Sequence, residues 1–91
     1  MKPTGRIRIS LVIPAYNEER YLPRLLDSVE VARERWRNGP DGLELIVSDN
    51  LSADDTAVVA EKRGCRVVQV EERRIASVRN RGAALARGDV L

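Results

Sequence analysis

The sequence predicts an α/β fold, an open parallel sheet with helices on both faces. Three observations carry that prediction. Short runs rich in β-branched residues, at 7–13, 43–48 and 66–70, alternate with segments whose apolar residues recur at helical spacing. Turn and cap residues fall between these runs: Pro14, the stretch Asn38 to Gly42, Gly64 and Gly88. Strands separated by helices pair in parallel, through crossovers that are right-handed. The expected order is β-α-β-α-β-α, and Asp89-Val90-Leu91 begins a fourth strand that is cut short. There is no repeat, linker or low-complexity stretch, so the unit is a partial Rossmann-like layer.

Each element has its own signature. In the first strand Ile7, Ile9, Leu11 and Ile13 recur at period two, and Val12 makes the other face apolar as well, the pattern of a strand buried on both sides. Pro14 is expected to stop it. Leu22, Leu25, Leu26, Val29, Ala32 and Trp36 form one helix face, which places Pro23 in the first turn, where its missing N–H costs nothing. Asn38-Gly39-Pro40-Asp41-Gly42 ends that helix. The run LELIVS is the second strand. The second helix is expected to open at Ser52, with Asp55 at the capping-box position and Gly64 just past its end. RVVQV is the third strand. The third helix, 75–87, carries Ile75, Val78, Gly82 and Leu85 on one stripe and is expected to end at Gly88. A glycine on an apolar stripe, where alanine is the better helix former, predicts close approach of helix and sheet.

Composition excludes much chemistry. The 91 residues contain no histidine and no phenylalanine, and a single cysteine, Cys65. A Ser-His-Asp triad, a His-paired thiol, an H-E-x-x-H metal site and an internal disulfide are all excluded. The chemistry must come from carboxylates, Arg and Lys, Asn, Ser and Thr, Tyr or backbone groups. Lys and Arg number 16 against 14 Asp and Glu, a net charge of +2. The basic excess is local: Arg73, Arg74, Arg79, Arg81 and Arg87 face only Asp89 near the C-terminus. Tyr16, Tyr21 and Trp36 are too few for a base-stacking platform, so nucleic-acid binding is the weakest of the functional readings. The longest apolar run, Leu11 to Ile13, is far too short for a membrane span, and no apolar signal segment follows Lys2 and Arg6. The expected location is cytoplasmic, with a longer form able to lie peripherally at a membrane.

In open parallel sheets, ligands collect at the carboxyl ends of the strands. The loops that matter are therefore 14–18, 49–55 and 71–80. In the first, Asn17 reads as a helix cap and Glu18 and Glu19 as acids at the positive helix end, or the loop meets a ligand with Tyr16 as a wall and Glu18 as an acceptor. In the second, Ser52 and Asp55 are accounted for by capping and Asp54 by first-turn electrostatics. Asp49 is not, and reads either as a ligand contact or as an organiser of its own loop. In the third, Arg79 lies beside the apolar stripe, where a guanidinium suits phosphate or a base carbonyl, or else is a solvated helix residue. No G-x-G-x-x-G or G-x-x-x-x-G-K-[ST] fingerprint is present.

Taken together, SLVIPAYNEERYLPRLLDSV, IVSDNLSADDT and IASVRNRGAALARGDVL resemble the N-terminal nucleotide-binding half of family 2 glycosyltransferases, which have the GT-A fold. The resemblance covers residues 8–91, and the order and spacing of the pieces make it specific. It implies that residues 1–91 are an incomplete N-terminal nucleotide-sugar-binding part of a GT-A domain. It implies that Pro14, Ala15, Tyr16 and Glu18 belong to the loop lying against the base and ribose. It implies that Asp49 pairs with the base and that Arg79 lies near the base and diphosphate. Ser52, Asp54 and Thr56 match the family's D-x-S-x-D-x-T signature, whereas Leu51 and Asp55 stand where glycine is common. The implied donor is a UDP- or GDP-linked sugar, and the implied cofactor is a divalent metal, Mg or Mn. Its D-x-D ligands follow the next strand in the family and are absent here, as is the catalytic base, so no catalytic or metal-binding residue is assigned. The expectation is a truncated product without transferase activity of its own. Whether the chain is itself an enzyme stays open. A strand order of 3-2-1-4 would leave the first strand poorly covered, which predicts a homo-oligomer through that edge. The alternative function is a non-enzymatic, self-associating α/β interaction module.

Overall fold

The computed structural model describes residues 7–35, 42–72 and 74–90. The elements are β1 (Ile9–Ala15), α1 (Leu22–Glu34), β2 (Leu43–Asp49), α2 (Thr56–Lys62), β3 (Arg66–Gln69), α3 (Ile75–Ala83) and β4 (Asp89–Val90). They form a four-stranded sheet in the order β3-β2-β1-β4, parallel throughout. The predicted fold class and element order are those observed.

The strand period of two distributes the core between the faces. Ile13, Ala15, Leu45 and Val47 pack with Leu22 and Leu26 of α1 and with Ala60 and Cys65. The intervening residues Val12 and Ser48 meet α3 at Gly82. A Cβ on Gly82 would overlap Ser48 Oγ and lie 2.6 Å from Val12 Cγ1. The close approach predicted from the apolar stripe is therefore real. Complete burial of Leu26 alone is worth ~1.5–3 kcal/mol of apolar transfer.

Several boundaries differ from the expectation. Pro14 does not stop β1; it pairs in register with Ser48, and the strand continues to Ala15. Asn50 N–H donates to Ala15 O at 2.8 Å, so Ala15 turns its peptide groups to β2 and Pro14 turns its own to the opposite edge. There β4 covers only Ile9 and Ser10, and the missing N–H of Pro14 breaks no ladder bond. Residue pairing begins at Ile9 rather than residue 7, although Arg8 already donates its N–H to Gly42 O at 2.8 Å and accepts Asp89 N–H at 2.9 Å. Helix α1 has Pro23 in its first turn as expected, but Leu25 and Ala32 are exposed and the buried stripe narrows to Leu22 and Leu26. Trp36 and the terminator at 38–41 lie outside the described residues.

Helix α2 starts at Thr56, with Asp55 as N-cap and no side-chain cap. The Ser52–Asp55 capping box does not form, because Ser52 is drawn to Asp49 instead. Its C-terminus matches the expectation: Gly64 has φ 84°, Gly64 N–H donates to Glu61 O at 3.1 Å and Cys65 N–H to Ala60 O at 3.0 Å. Helix α3 ends at Ala83, not at 87, so Gly88 is not its terminator. Gly88 is required by sheet contact, since a Cβ there would lie 2.6 Å from Arg8 C and 2.7 Å from Ile9 N.

Candidate functional site

The parallel register aligns Ala15, Asp49 and Gln69 in one row at the carboxyl edge of the sheet. Ala15 and Asp49 are buried there. The Asp49 carboxylate accepts the Ser52 hydroxyl at Oδ1 and lies 3.4 Å from Ser52 N–H at Oδ2. Asp49 thus organises its own loop, one of the two roles read from the sequence. Two bonds leave acceptor capacity on a carboxylate that offers about four lone-pair sites.

The first loop is laid over the second by hydrogen bonds. Asn17 N–H donates to Ser52 Oγ at 2.9 Å, and Asn17 Oδ1 accepts Ala53 N–H at 2.8 Å. Glu18 N–H donates to Thr56 Oγ1 at 2.8 Å, and Glu19 N–H to Asp54 Oδ2 at 3.2 Å. Asp55 N–H returns a bond to Glu19 Oε1 at 3.3 Å. Asn17 is therefore not the cap of α1, whose N-cap is Tyr21 without a side-chain bond. Its left-handed φ of 52°, tolerated by Asn, turns its side chain into the neighbouring loop. Leu51 adopts a φ of 51°, at a position where the family commonly has glycine.

Asp54 also does more than favour a helix end. It accepts the Thr56 hydroxyl and, at 3.0 Å, Thr56 N–H. The Thr56 hydroxyl bond, opposed by burial and reinforced by backbone N–H groups, holds the Asp54 carboxyl below its ordinary value. Asn50, which the sequence reading did not single out, joins all three loops. Its Nδ2 donates to Val70 O at 2.6 Å and Glu72 O at 2.7 Å, while its backbone N–H reaches Ala15 O. The only signal for it in the sequence is an amide two residues past the end of the predicted second strand.

This bracing leaves other side chains outside. Tyr16 is 47% exposed, Pro14 is exposed and Glu18 is half-buried. Pro14, Ala15 and Glu18 border an open groove of about 240 Å³ against Tyr21, Leu22 and Leu25 of the α1 side. Tyr16, Asp49 and Arg79 do not line it. Arg79, read from the sequence either as a ligand residue beside the apolar stripe or as a solvated helix residue, is exposed on α3, across the sheet from α1, next to the buried Val78. Of these six residues the groove thus gathers Pro14, Ala15 and Glu18, while Asp49 is buried at the end of β2 and Arg79 is exposed on α3. Among the described residues, no group of three or more His, Cys, Asp or Glu side chains is placed to hold a metal ion. The described residues therefore offer no ligand set for the divalent ion that the resemblance implies.

Strand order, parallel register and polar loops at the carboxyl edge define an open α/β layer of the kind that gathers ligands at that edge. The chain belongs to glycosyl transferase family 2, whose sequence pattern matches residues 10–91. It is 40% identical over 74 residues to the undecaprenyl-phosphate 4-deoxy-4-formamido-L-arabinose transferase of Pseudomonas paraeruginosa, covering 77% of this chain and 21% of that protein. It is 42% identical over 66 residues to the glucosyl-3-phosphoglycerate synthase of Mycobacterium tuberculosis, covering 70% of this chain and 18% of that protein. The chain therefore spans about a fifth of the length of these curated relatives. Among solved structures it is similar to S. aureus TarS 1–349, crystallised alone and in complex with UDP. The TM-score is 0.77 at 29% identity, over 93% of this chain and 26% of that one.

Proposed function

We propose that this chain supplies the base and ribose contacts of a donor site for a nucleoside-diphosphate sugar, in a transferase that passes the sugar to an acceptor. The observation that carries the reading is the similarity to TarS, whose structure in complex with UDP shares this fold over 93% of the chain. Asp49 lies at the strand end where the family resemblance has the base-pairing carboxylate, and it retains acceptor capacity for a base N–H. Pro14, Ala15 and Tyr16 form the wall beside it, and Glu18 offers an acceptor. Arg79, exposed on α3, is the cation for the base carbonyl or the diphosphate. The contribution assigned to these residues is binding and orientation; the transfer step is not assigned to them. Self-association through β1 belongs to the same reading, because β4 pairs only with Ile9 and Ser10 and leaves the rest of that edge without a strand partner among the described residues.

Calorimetric titration with UDP and with GDP tests the proposal. Asp49→Asn keeps the shape of the loop but replaces an acceptor by a donor. It is expected to weaken binding about tenfold or more, the worth of a charge-assisted hydrogen bond. Absence of binding by the folded wild-type chain, together with stable oligomers in sedimentation, would instead favour the self-associating module.

A further inference from the structure

At the amino end of the sheet, remote from these loops, a charge is buried. Glu44 of β2 is only 6% exposed. Its Oε1 accepts the Ser10 hydroxyl at 2.7 Å and the Arg87 backbone N–H at 2.7 Å. Its Oε2 accepts Arg87 Nε at 2.9 Å and lies 3.5 Å from Arg66 Nη1. Ser10 Oγ in turn accepts Gly88 N–H at 3.0 Å, and Arg66 Nη1 donates to Leu85 O at 2.9 Å. The segment from Leu85 to Gly88 is therefore tied to β1, β2 and β3 by side chains centred on one carboxylate.

Strand β4 needs such a tie. It pairs through two residues, Asp89 with Ile9 and Val90 with Ser10, and both Asp89 and Val90 are exposed. Register is specified by burial of one strand face, and β4 has no buried face to specify it. We propose that Glu44 is a register latch: its carboxylate, rather than apolar burial, sets which residues of the 85–90 segment oppose Ile9 and Ser10. A slip of one residue would exchange the faces of Asp89 and Val90. The inference rests on the fold and is independent of the nucleotide-binding reading.

The latch has an acid response. Burial pushes the Glu44 carboxyl up, but bonds from Ser10 and from the Arg87 N–H and guanidinium outweigh it and hold the group below its ordinary value. The charged groups facing it are Arg66 from β3 and Arg87 from the turn, while β1 contributes the uncharged Ser10. Protonation at low pH removes the negative charge and turns one of the two shared oxygens into an O–H donor, so that Oε1 and Oε2 can no longer both accept from these donors. Arg8 and Asp89 line the adjoining groove, so Asp89→Asn is the control for titration of the strand itself.

Amide hydrogen exchange and cross-strand proton contacts, measured by NMR on the 91-residue chain, test the latch. Glu44→Gln is expected to speed exchange at Arg87 to Val90 about tenfold, the worth of one charge-assisted bond. The Ile9–Asp89 and Ser10–Val90 contacts are expected to be lost, with β2 and β3 amides unchanged within about twofold. Acidifying the wild type should reproduce the loss, Glu44→Gln should no longer respond to acid, and Asp89→Asn should respond as wild type. Ser10→Ala, which leaves Glu44 in place, should loosen Gly88 to Val90 alone. Retained contacts in Glu44→Gln, or uniform loosening of the sheet, would overturn the proposal. If Glu44→Gln does not fold, unchanged exchange at Gly88 to Val90 in Ser10→Ala would do the same.

Discussion

At the amino end of the sheet one buried carboxylate, Glu44, gathers donors from β1, β3 and the turn after α3. At the carboxyl end the loops are joined by many separate bonds between short polar side chains and backbone N–H groups. The first arrangement spends its charge on holding the chain. The second satisfies the backbone with Asn17, Asn50, Ser52, Asp54 and Thr56, and Tyr16 of the first loop and Arg79 of α3 keep exposed surface. Rigid loop backbones with outward side chains are what a ligand edge requires; a closed ionic cluster is what a strand with no apolar face requires.

If the two ends are separate in function, stability and nucleotide affinity should respond to different substitutions. The largest effect is expected at the amino end, where Glu44→Ala removes the shared acceptor of a buried cluster. Its partners Arg66 and Arg87 are themselves 41% and 61% exposed, so the cost is that of the lost charge-assisted bonds, about 3 kcal/mol in urea unfolding, with UDP affinity of the folded fraction unchanged. A parallel loss of affinity would show that the ends are coupled. The sign with pH follows from the Glu44 and Asp54 carboxyls, both lower in the folded chain than their ordinary values of 4.5 and 3.8. Their contribution is fully present above those values and is lost as pH falls through the lower folded ones. Glu44→Gln should therefore flatten the acid limb of stability against pH.

Gly82→Ala lies between the ends and comes next. Its new methyl meets Ser48 and Val12, and overpacking should cost about 1–3 kcal/mol although alanine favours helix by about 1. A stabilised variant in thermal unfolding would show that α3 shifts easily, and with it Arg79. Thr56→Val keeps the shape of a fully buried side chain but removes the acceptor for Glu18 N–H and the donor to Asp54. About 1–3 kcal/mol should be lost, and chemical-shift changes should be confined to both loops. The smallest effect on stability is expected for Arg79→Ala, within about 0.5 kcal/mol. Its signature should be a fall in UDP affinity of about tenfold, measured by calorimetry. A change in stability without a change in affinity would move Arg79 from the ligand edge to the scaffold.

Much of this architecture is legible in local pattern. Period-two apolar runs locate β1 to β3, helical spacing locates α1 to α3, and the glycines at 64 and 82 have the roles their positions predict. The candidate edge follows from topology, since parallel strands bring 14–18, 49–55 and 71–80 to one side. Local pattern misassigned Pro14, Asn17, Ser52 and Gly88 because each answers to a distant neighbour. Pro14 is permitted in the strand by an uncovered edge, Asn17 is claimed by Ala53, Ser52 by Asp49, and Gly88 by the backbone of Arg8 and Ile9.

Fold class, the order of elements along the chain and the absence of imidazole and disulfide chemistry were thus decided by the residues themselves, through periodicities and exclusions that need no knowledge of long-range contacts. The use of each polar side chain was decided only when the strands assembled. Ser10 and Gly88 are 78 positions apart, Glu44 and Arg87 are 43 apart, and Glu18 and Thr56 are 38 apart. A hydroxyl, amide or carboxylate takes its partner from whatever the parallel register brings within hydrogen-bond distance, and no spacing along the chain announces it.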